Sequence, residues 1–130
     1  VYNHGHHARD FTYIDDIVDG VMRALDLHAA AGQGAKIGEN KTHERADNYR
    51  LYNLGNNKPV ELMHFISVLE HLIGKKAVTR MLPIQPGDVA VTYADIDSSA
   101  KDLGFAPRTA VEEGLKKFVE WYMSYYGHNK

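Results

Sequence analysis

Apolar side chains recur at intervals of three and four residues in three stretches of the chain, a pattern typical of helices with one buried face. The stretches run from Asp15 to about Leu27, from Pro59 to about Ile73 and from Thr109 to about Tyr126. The second stretch is the most apolar, and we expect it to form the core. Gly74 follows it directly and is placed to end that helix.

Outside these helices, four short runs predict strands. Residues 11–14 are aromatic and β-branched, residues 51–55 are stopped by glycine, residues 77–82 alternate, and residues 89–93 are strand-like. A shorter helix is predicted with Asp97 as its N-cap and Gly104 as its end. Thr109 and Glu112 have the spacing of a capping box for the last helix. The whole pattern predicts an α+β fold with three main helices and several short strands.

One part of the chain has no hydrophobic period. From about residue 29 to 49 the sequence is rich in Gly, Lys, Glu, Asn and His, which predicts a flexible surface excursion. The 130 residues contain no internal repeat and no clear boundary, so we expect one unit spanning 1–130. The chain begins at Val1 rather than at Met, which leads us to expect a fragment of a longer protein.

Composition and charge exclude several classes of protein. Fifteen Lys and Arg residues against seventeen Asp and Glu residues give a net charge of −2, which supplies no general field for nucleic acid or an anionic membrane. No apolar run has the length of a membrane span, and no signal-peptide pattern opens the chain. The absence of cysteine removes disulfides, thiolate nucleophiles and sulfur-ligated zinc. We expect a soluble cytoplasmic protein that binds any anion through local groups.

Two clusters of polar residues offer chemistry but have simpler interpretations. His4, His6 and His7 offer imidazole ligands, but neighbouring histidines rarely converge on one metal ion, which favours a solvated loop. Asp15 and Asp16 do not face each other across a substrate when they start a helix, which favours capping over acid–base catalysis. We therefore predict no metal site and no catalytic residue in this chain.

The motifs of cofactor binding and hydrogen transfer are absent or misplaced. The sequence contains no Gly-rich phosphate loop of the form GxGxxG or GxxxxGKS. Tyr126 and Lys130 match the Tyr-x-x-x-Lys spacing of reductases, but they are the first and last of the final five residues and enclose Gly127. A lysine that lowers the pKa of a tyrosine must lie at a fixed distance on a rigid helix, so we interpret this match as coincidence.

Arg9 and Asp88 are the most informative polar residues. Arg9 comes shortly before a predicted strand, and Asp88 follows the tight turn at 85–87. Arg9 could pair with Asp10 or Asp16 at the surface, and Asp88 could simply close its turn. The functional alternative is a guanidinium that donates to a diphosphate and a carboxylate that accepts hydrogen bonds from a ribose diol. Composition alone favours the first interpretation, and both stay open at this point.

Five blocks of the sequence carry a family resemblance. They are VYNHG at 1–5, RDFTYIDDIVDGV at 9–21, YNLGN at 52–56 with PVELM at 59–63, QPGD at 85–88, and LGF at 103–105 with FVEWY at 118–122. In this order and spacing the blocks resemble the C-terminal part of extended short-chain dehydrogenase/reductase enzymes, and within them the UDP-glucuronate 4-epimerase kind of nucleotide-sugar epimerase. The resemblance implies the substrate-binding portion of a parent with a Rossmann-type NAD(P)-binding fold.

The resemblance assigns substrate-binding roles to four positions. It implies that Arg9 contacts the diphosphate of a UDP-sugar and that Asp88 holds the ribose hydroxyls. Tyr2 matches a position near the uracil. Gln85 stands where the related galactose epimerases have arginine, and the glucuronate-type enzymes share the glutamine.

The resemblance also implies a function for the parent protein. It would be an NAD-dependent 4-epimerase of the UDP-glucuronate/UDP-galacturonate type, with a role in cell-surface polysaccharide biosynthesis. In such enzymes NAD takes a hydride from sugar C4 and returns it to the other face, while a Tyr-Lys pair handles the hydroxyl proton. That pair and the cofactor loop belong to the N-terminal Rossmann portion, so we expect this chain alone to bind no cofactor and to be inactive.

Helices that lack the Rossmann portion expose apolar faces, which favours self-association or domain swapping of the chain. The same scaffold also serves dehydratases and decarboxylases that act on nucleotide sugars, so the parent could belong to either of these enzyme classes. The sequence further allows a non-catalytic nucleotide-sugar-binding module or a purely structural remnant.

Overall fold

The computed structural model describes residues 1–31 and 50–127. It contains a 3₁₀ turn at Tyr2–Gly5, strand β1 at Ala8–Arg9, helix α1 at Ile14–Ala31, strand β2 at Val60–Glu61, and helices α2 at Leu62–Ile73, α3 at Asp97–Leu103 and α4 at Val111–Tyr125. The α+β class and the three main helices α1, α2 and α4 are confirmed. Helix α1 extends to residue 31, so only the remainder of the predicted excursion lies outside the described ranges. None of these helices is long and apolar enough to cross a membrane.

Strand β1 is hydrogen-bonded along both of its edges. On one edge it pairs antiparallel with β2, with Ala8 opposite Glu61. On the other edge the Ala8 N–H donates to the Ala90 carbonyl at 2.9 Å, and the Thr92 N–H donates to the Ala8 carbonyl at 3.2 Å. The segment at 90–92 therefore runs beside β1, which places Asp88, two residues earlier, near the end of that strand.

The predicted strands differ from the observed ones. The run at 11–14 is not a strand, because Ile14 already begins α1, and the strand lies earlier at 8–9. The runs at 51–55 and 77–82 form no strand in the described residues, and 89–93 contributes one isolated bridge at Val91. β-branched and aromatic composition indicates a surface that fits a sheet, but a strand also needs a neighbouring backbone as its partner.

Two helix ends predicted from glycine are confirmed. Gly74 ends α2 with φ +72°, and its N–H donates to the Glu70 carbonyl at 2.9 Å. Gly104 ends α3 with φ +65°, and its N–H donates to the Ala100 carbonyl at 3.0 Å. Glycine adopts this left-handed conformation without the steric cost of a side chain, so it marks a helix end from local sequence alone.

The predicted helix starts were wrong in their capping residues. Ile96, not Asp97, is the N-cap of α3, and Ala110, not Thr109, is the N-cap of α4. Neither cap residue makes a side-chain hydrogen bond to its helix. The Asp16 carboxylate, in the first turn of α1, accepts hydrogen bonds from the N–H groups of residues 108 and 109, at 3.3 and 3.0 Å. A distant carboxylate thus holds the two residues that precede the N-cap of α4.

The buried core lies at α3 and α4 rather than at α2. Its apolar side chains are Leu103, Phe105, Leu115 and Val119. Helix α2 has no buried residue, so the expectation that it forms the core was wrong. It packs against α4, and its Phe65 stacks on Phe11 with 4.1 Å between ring centroids. The hydrophobic period identifies the apolar face of a helix but not the layer that covers it.

One polar contact also joins α2 to α4. His64 Nε2 lies 2.6 Å from Glu112 Oε1. This hydrogen bond holds the pKa of the Glu112 carboxyl below its ordinary value. Both side chains are about half exposed, so the contact contributes little to stability.

Candidate functional site

Arg9 and Asp88 meet in the folded chain although 79 residues separate them. Arg9 Nη2 lies 2.9 Å from Asp88 Oδ1, and the two side chains are 27% and 33% exposed. Arg9 therefore pairs with Asp88, and with neither Asp10 nor Asp16 as the surface interpretation proposed. We call this contact the Arg9–Asp88 pair. A guanidinium and a carboxylate thus stand side by side, within reach of a ligand from solvent.

Backbone contacts fix both members of the Arg9–Asp88 pair. Arg9 Nη1 donates to the carbonyls of Ala8 and Ala90, each at 3.1 Å, so the guanidinium is held across β1 and the adjacent segment. The Asp88 N–H donates to the Gln85 carbonyl at 3.1 Å and closes a turn in which Gly87 has φ +84°. Positive φ at the third turn position favours glycine. The turn thus brings the carboxylate back toward β1.

A buried histidine lies on the other side of the Asp88 carboxylate. His7 is only 5% exposed, and its Nε2 is 3.4 Å from Asp88 Oδ2. This contact does not meet the geometry of a hydrogen bond, and within the described residues His7 Nε2 has no hydrogen-bond partner. His4 and His6 are exposed, as expected for a solvated loop, whereas His7 is buried.

Asp10 organises the backbone around the site. Its carboxylate accepts three backbone N–H groups, from Asn56 at 3.1 Å, Asn57 at 3.0 Å and Ala94 at 2.9 Å. The approach is close, because a Cβ added to Gly55 would lie 2.4 Å from the Ala94 Cβ and 2.9 Å from Asp10 Oδ2. Asp10 thus ties the loop after residue 55 and the segment that follows Asp88 to the end of β1.

From the sequence, Asp10 was considered only as a possible partner of Arg9. Its position gave no signal of its role, because the predicted strand at 11–14 follows Asp10, whereas the observed strand at 8–9 precedes it. A local signal is Gly55, where no side chain fits beside that carboxylate. The glycine alone does not name the loops that supply the donors.

The other two predicted substrate-binding residues, Gln85 and Tyr2, differ in their relation to the Arg9–Asp88 pair. Gln85 is exposed and starts the turn that carries Asp88, so only its carbonyl takes part in the site's hydrogen bonds. Tyr2 is 41% exposed in the 3₁₀ turn. No hydrogen bond or ion pair of the described residues joins Tyr2 to the Arg9–Asp88 pair. The structure brings Arg9, Asp88 and the Gln85 backbone together and leaves Tyr2 separate from their contacts.

The remaining polar clusters named from the sequence have these positions in the fold. Within residues 1–31 and 50–127, no group of three His, Asp or Glu side chains is arranged to hold a metal ion. Asp16 ties α1 to the start of α4, as described above, rather than forming an acid–base pair with Asp15. Tyr126 directly follows α4, whereas Lys130, its predicted match, lies outside the described residues.

Comparison with known proteins gives strong matches over nearly the whole chain. No model of a protein family matches. Protein CapI of Staphylococcus aureus is 41% identical over 126 residues, which cover 97% of this chain and 38% of that protein. UDP-glucuronate 4-epimerase 2 of Arabidopsis thaliana is 44% identical over 126 residues, which cover 95% of this chain and 28% of that enzyme. The chain thus spans about a third of the length of these relatives.

Solved structures agree with the sequence relatives. The UDP-glucuronic acid 4-epimerase of Bacillus cereus, in complex with UDP-glucuronic acid and NAD, has a TM-score of 0.73 and 26% identity over 97% of this chain and 35% of its own. The chain matches part of a UDP-glucuronate 4-epimerase. MoeE5 in complex with UDP-glucuronic acid and NAD also has 26% identity, with a TM-score of 0.75. The predicted resemblance to an extended short-chain dehydrogenase/reductase epimerase is confirmed.

The described residues do not fit the NAD that these epimerase structures contain. Dinucleotides are held at the first turn of a parallel β-α-β unit with a Gly-rich loop. The described part of this chain has one two-stranded antiparallel sheet, and the sequence has no GxGxxG. We therefore assign no residue described here to the cofactor.

Removing the Asp10 carboxylate tests its structural role. We expect Asp10→Ala to lower the free energy of unfolding by about 3 kcal/mol, because it leaves three backbone N–H groups without their charged acceptor. Urea unfolding followed by circular dichroism measures the change. Asp26→Ala is the matched control, since Asp26 is an exposed carboxylate on α1, and it should change stability by at most about 0.5 kcal/mol. Equal effects of the two variants would contradict the role given to Asp10.

Proposed function

We propose that this chain is the substrate-binding part of an NAD-dependent nucleoside-diphosphate-sugar 4-epimerase of the UDP-glucuronate/UDP-galacturonate type. The observation that carries the proposal is the Arg9–Asp88 pair, with its 2.9 Å contact at a half-open site. Arg9 and Asp88 come from separate blocks of the sequence. The resemblance assigns the diphosphate to Arg9 and the ribose to Asp88, which are adjacent parts of one ligand. Their contact in the fold supports that assignment, because a diphosphate and its ribose are neighbours in the same molecule.

The chemistry of the pair suits the two ends of a ribose diphosphate. Arginine presents a planar set of N–H donors that matches phosphate oxygens, and an ionised carboxylate only accepts, which matches the two hydroxyls of ribose. Arg9 Nη1 is occupied by two carbonyls, whereas among the described residues Nη2 is hydrogen-bonded to Asp88 alone. We infer that the diphosphate replaces Asp88 at Nη2, and that the released carboxylate oxygen accepts from ribose.

The local charge at this site matters because the chain has no general positive field. Its net charge is −2, so an anionic ligand is not drawn to the whole surface. The affinity for UDP must then depend strongly on one guanidinium. Gln85, next to the site, adds no positive charge where the galactose epimerases have arginine, which makes Arg9 the principal cation for the diphosphate in this proposal.

The groups that transfer the hydride and the proton in the parent are not among the residues proposed to bind substrate. The described chain holds no site for NAD, so the proposed roles of its residues are to bind and orient the UDP-sugar. Chemistry at the sugar then depends on a Rossmann portion that supplies the cofactor site and the Tyr-Lys pair. We accordingly propose that the chain by itself is inactive, and that the whole protein acts in the cytoplasm in cell-surface polysaccharide biosynthesis.

An open apolar face on α1 supports a contact with that Rossmann portion. Five large apolar side chains lie three or four positions apart on this helix and are 47–61% exposed. They are Ile14, Val18, Val21, Met22 and Leu25. A continuous apolar stripe of this kind indicates a surface that another layer of protein covers. In the absence of the Rossmann portion, a second copy of the chain would compete for the same face.

Nucleotide binding by the chain tests the proposal. We expect ¹⁵N-labelled chain to bind UDP with a dissociation constant weaker than about 1 μM, because only part of the pocket is present. Arg9→Ala should weaken binding by about 2 kcal/mol, roughly 30-fold, since it removes the cation beside the diphosphate. Chemical-shift titration measures both constants.

Arg108→Ala is the control for that titration, because it removes one exposed arginine that has no side-chain contact with the Arg9–Asp88 pair. It should bind UDP as the unchanged chain does. Equal binding by Arg9→Ala and the unchanged chain would refute the diphosphate site. Submicromolar binding would instead favour a self-sufficient, non-catalytic nucleotide-sugar-binding module.

Turnover by the isolated chain is a separate test. Incubation with UDP-glucuronate and NAD, followed by chromatographic separation of the two UDP-uronates, should detect no UDP-galacturonate. Asp88→Asn controls for a contaminating epimerase, because activity from another protein would persist unchanged in that preparation. If the unchanged chain turned over UDP-glucuronate and Asp88→Asn abolished that turnover, the proposal that the isolated chain is inactive would be contradicted.

A further inference from the structure

The buried ring of His7 has an unused nitrogen directed at Asp88. In the interior, a polar nitrogen without a hydrogen-bond partner lowers stability and calls for an explanation. His7 Nε2 is such a nitrogen, in a side chain that is only 5% exposed. Asp88 Oδ2, at 3.4 Å, would need to approach by about 0.5 Å to reach ordinary hydrogen-bond distance.

The two oxygens of Asp88 are used unequally. Oδ1 accepts from Arg9 Nη2 and from the Val89 N–H, each at 2.9 Å. Oδ2 accepts no hydrogen bond from the described residues, and its neighbour is His7. His7 Nε2 therefore lies beside the Asp88 oxygen that does not contact Arg9, and these two atoms are not hydrogen-bonded to each other.

The backbone holds His7 in place. Its carbonyl accepts the N–H of Leu62 at 2.8 Å, at the start of α2, and the next residue, Ala8, is in β1. His7 thus directly precedes the paired strand that ends at Arg9. Both side chains next to the Asp88 carboxylate are held at β1, on either side of its two oxygens.

We propose that His7 is the positioning residue for Asp88 during nucleotide binding. This inference rests on the proposed function. When the diphosphate takes Nη2 of Arg9, Asp88 loses its cationic neighbour, and His7 Nε2–H donates to Oδ2. The carboxylate is thereby held with Oδ1 toward the ribose diol. His7 does not touch the ligand; it acts through Asp88 and replaces the contact that the ligand removes.

The test compares two nucleotides that differ only at the ribose. UDP carries the diol, and 2′,3′-dideoxy-UDP lacks it, so the ratio of their dissociation constants measures diol recognition alone. The chain is titrated with each by chemical shift, in unchanged form and as His7→Phe, His7→Gln and Asp88→Asn. Phenylalanine keeps a buried ring without a donor, whereas glutamine keeps an N–H of similar reach. Circular dichroism verifies that each variant is folded.

We expect the preference for UDP over the dideoxy analogue to fall about tenfold in His7→Phe and in Asp88→Asn. His7→Gln should keep most of the preference. A merely structural role would weaken both nucleotides equally, so equal weakening in His7→Phe, or no change, would overturn the inference.

A measurement on the unchanged chain makes the test independent of how the variants fold. UDP at saturation should shift the ¹⁵N resonance of His7 Nε2, and the dideoxy analogue should shift it as well, because both carry the diphosphate that displaces Asp88 from Arg9. A resonance that UDP leaves in place would overturn the role of His7. Failure of the proposed function has a different signature, since the unchanged chain would then bind neither nucleotide or Arg9→Ala would bind both normally.

Discussion

Backbone pairing along both edges of β1 is the constraint on which the candidate site depends. This strand of two residues joins β2 on one side and the segment at 90–92 on the other. His7 directly precedes it, Arg9 ends it, and the segment beside it brings in Asp88. Residues from distant parts of the chain therefore meet at one point without a long sheet. A shift of the pairing register by one residue would turn Arg9 to the opposite face, since side chains alternate along a strand.

Two carboxylates near β1 show how hydrogen bonding separates a structural role from a binding role. Asp10 is occupied by three backbone N–H groups that tie loops together. Asp88 has one oxygen bonded to Arg9 and Val89 and one oxygen next to the unbonded nitrogen of His7. A carboxylate whose oxygens already accept hydrogen bonds from the backbone stabilises the fold. A carboxylate with an unused oxygen at a half-open surface can exchange partners with a ligand.

Features that depend on neighbouring residues were predictable from the sequence. The helix ends at Gly74 and Gly104 follow from the conformational freedom of one residue, and the three long helices follow from the spacing of apolar positions. Features that depend on a distant partner were not. The strand lies at 8–9 rather than at 11–14, and Asp16 accepts hydrogen bonds from the N–H groups of residues 108 and 109, because the partner in each case comes from far along the chain.

The candidate site was predictable to a similar extent. Residue chemistry and family resemblance named Arg9 and Asp88 and suggested a shared ligand, and the structure places their side chains in contact. The roles of Asp10 and His7 could not be predicted from the sequence. They depend on which loops donate to the Asp10 carboxylate and on which Asp88 oxygen lies beside His7. The histidine cluster looked like an exposed loop, yet one of its three rings is buried beside the site.

The most direct test of the central claim is a crystal structure of this chain with UDP. The account predicts a diphosphate oxygen within hydrogen-bond distance of Arg9 Nη2 and a ribose hydroxyl within the same distance of Asp88, with the direct contact between the two side chains broken. UDP bound elsewhere on the chain, with Arg9 and Asp88 still bonded to each other, would contradict it.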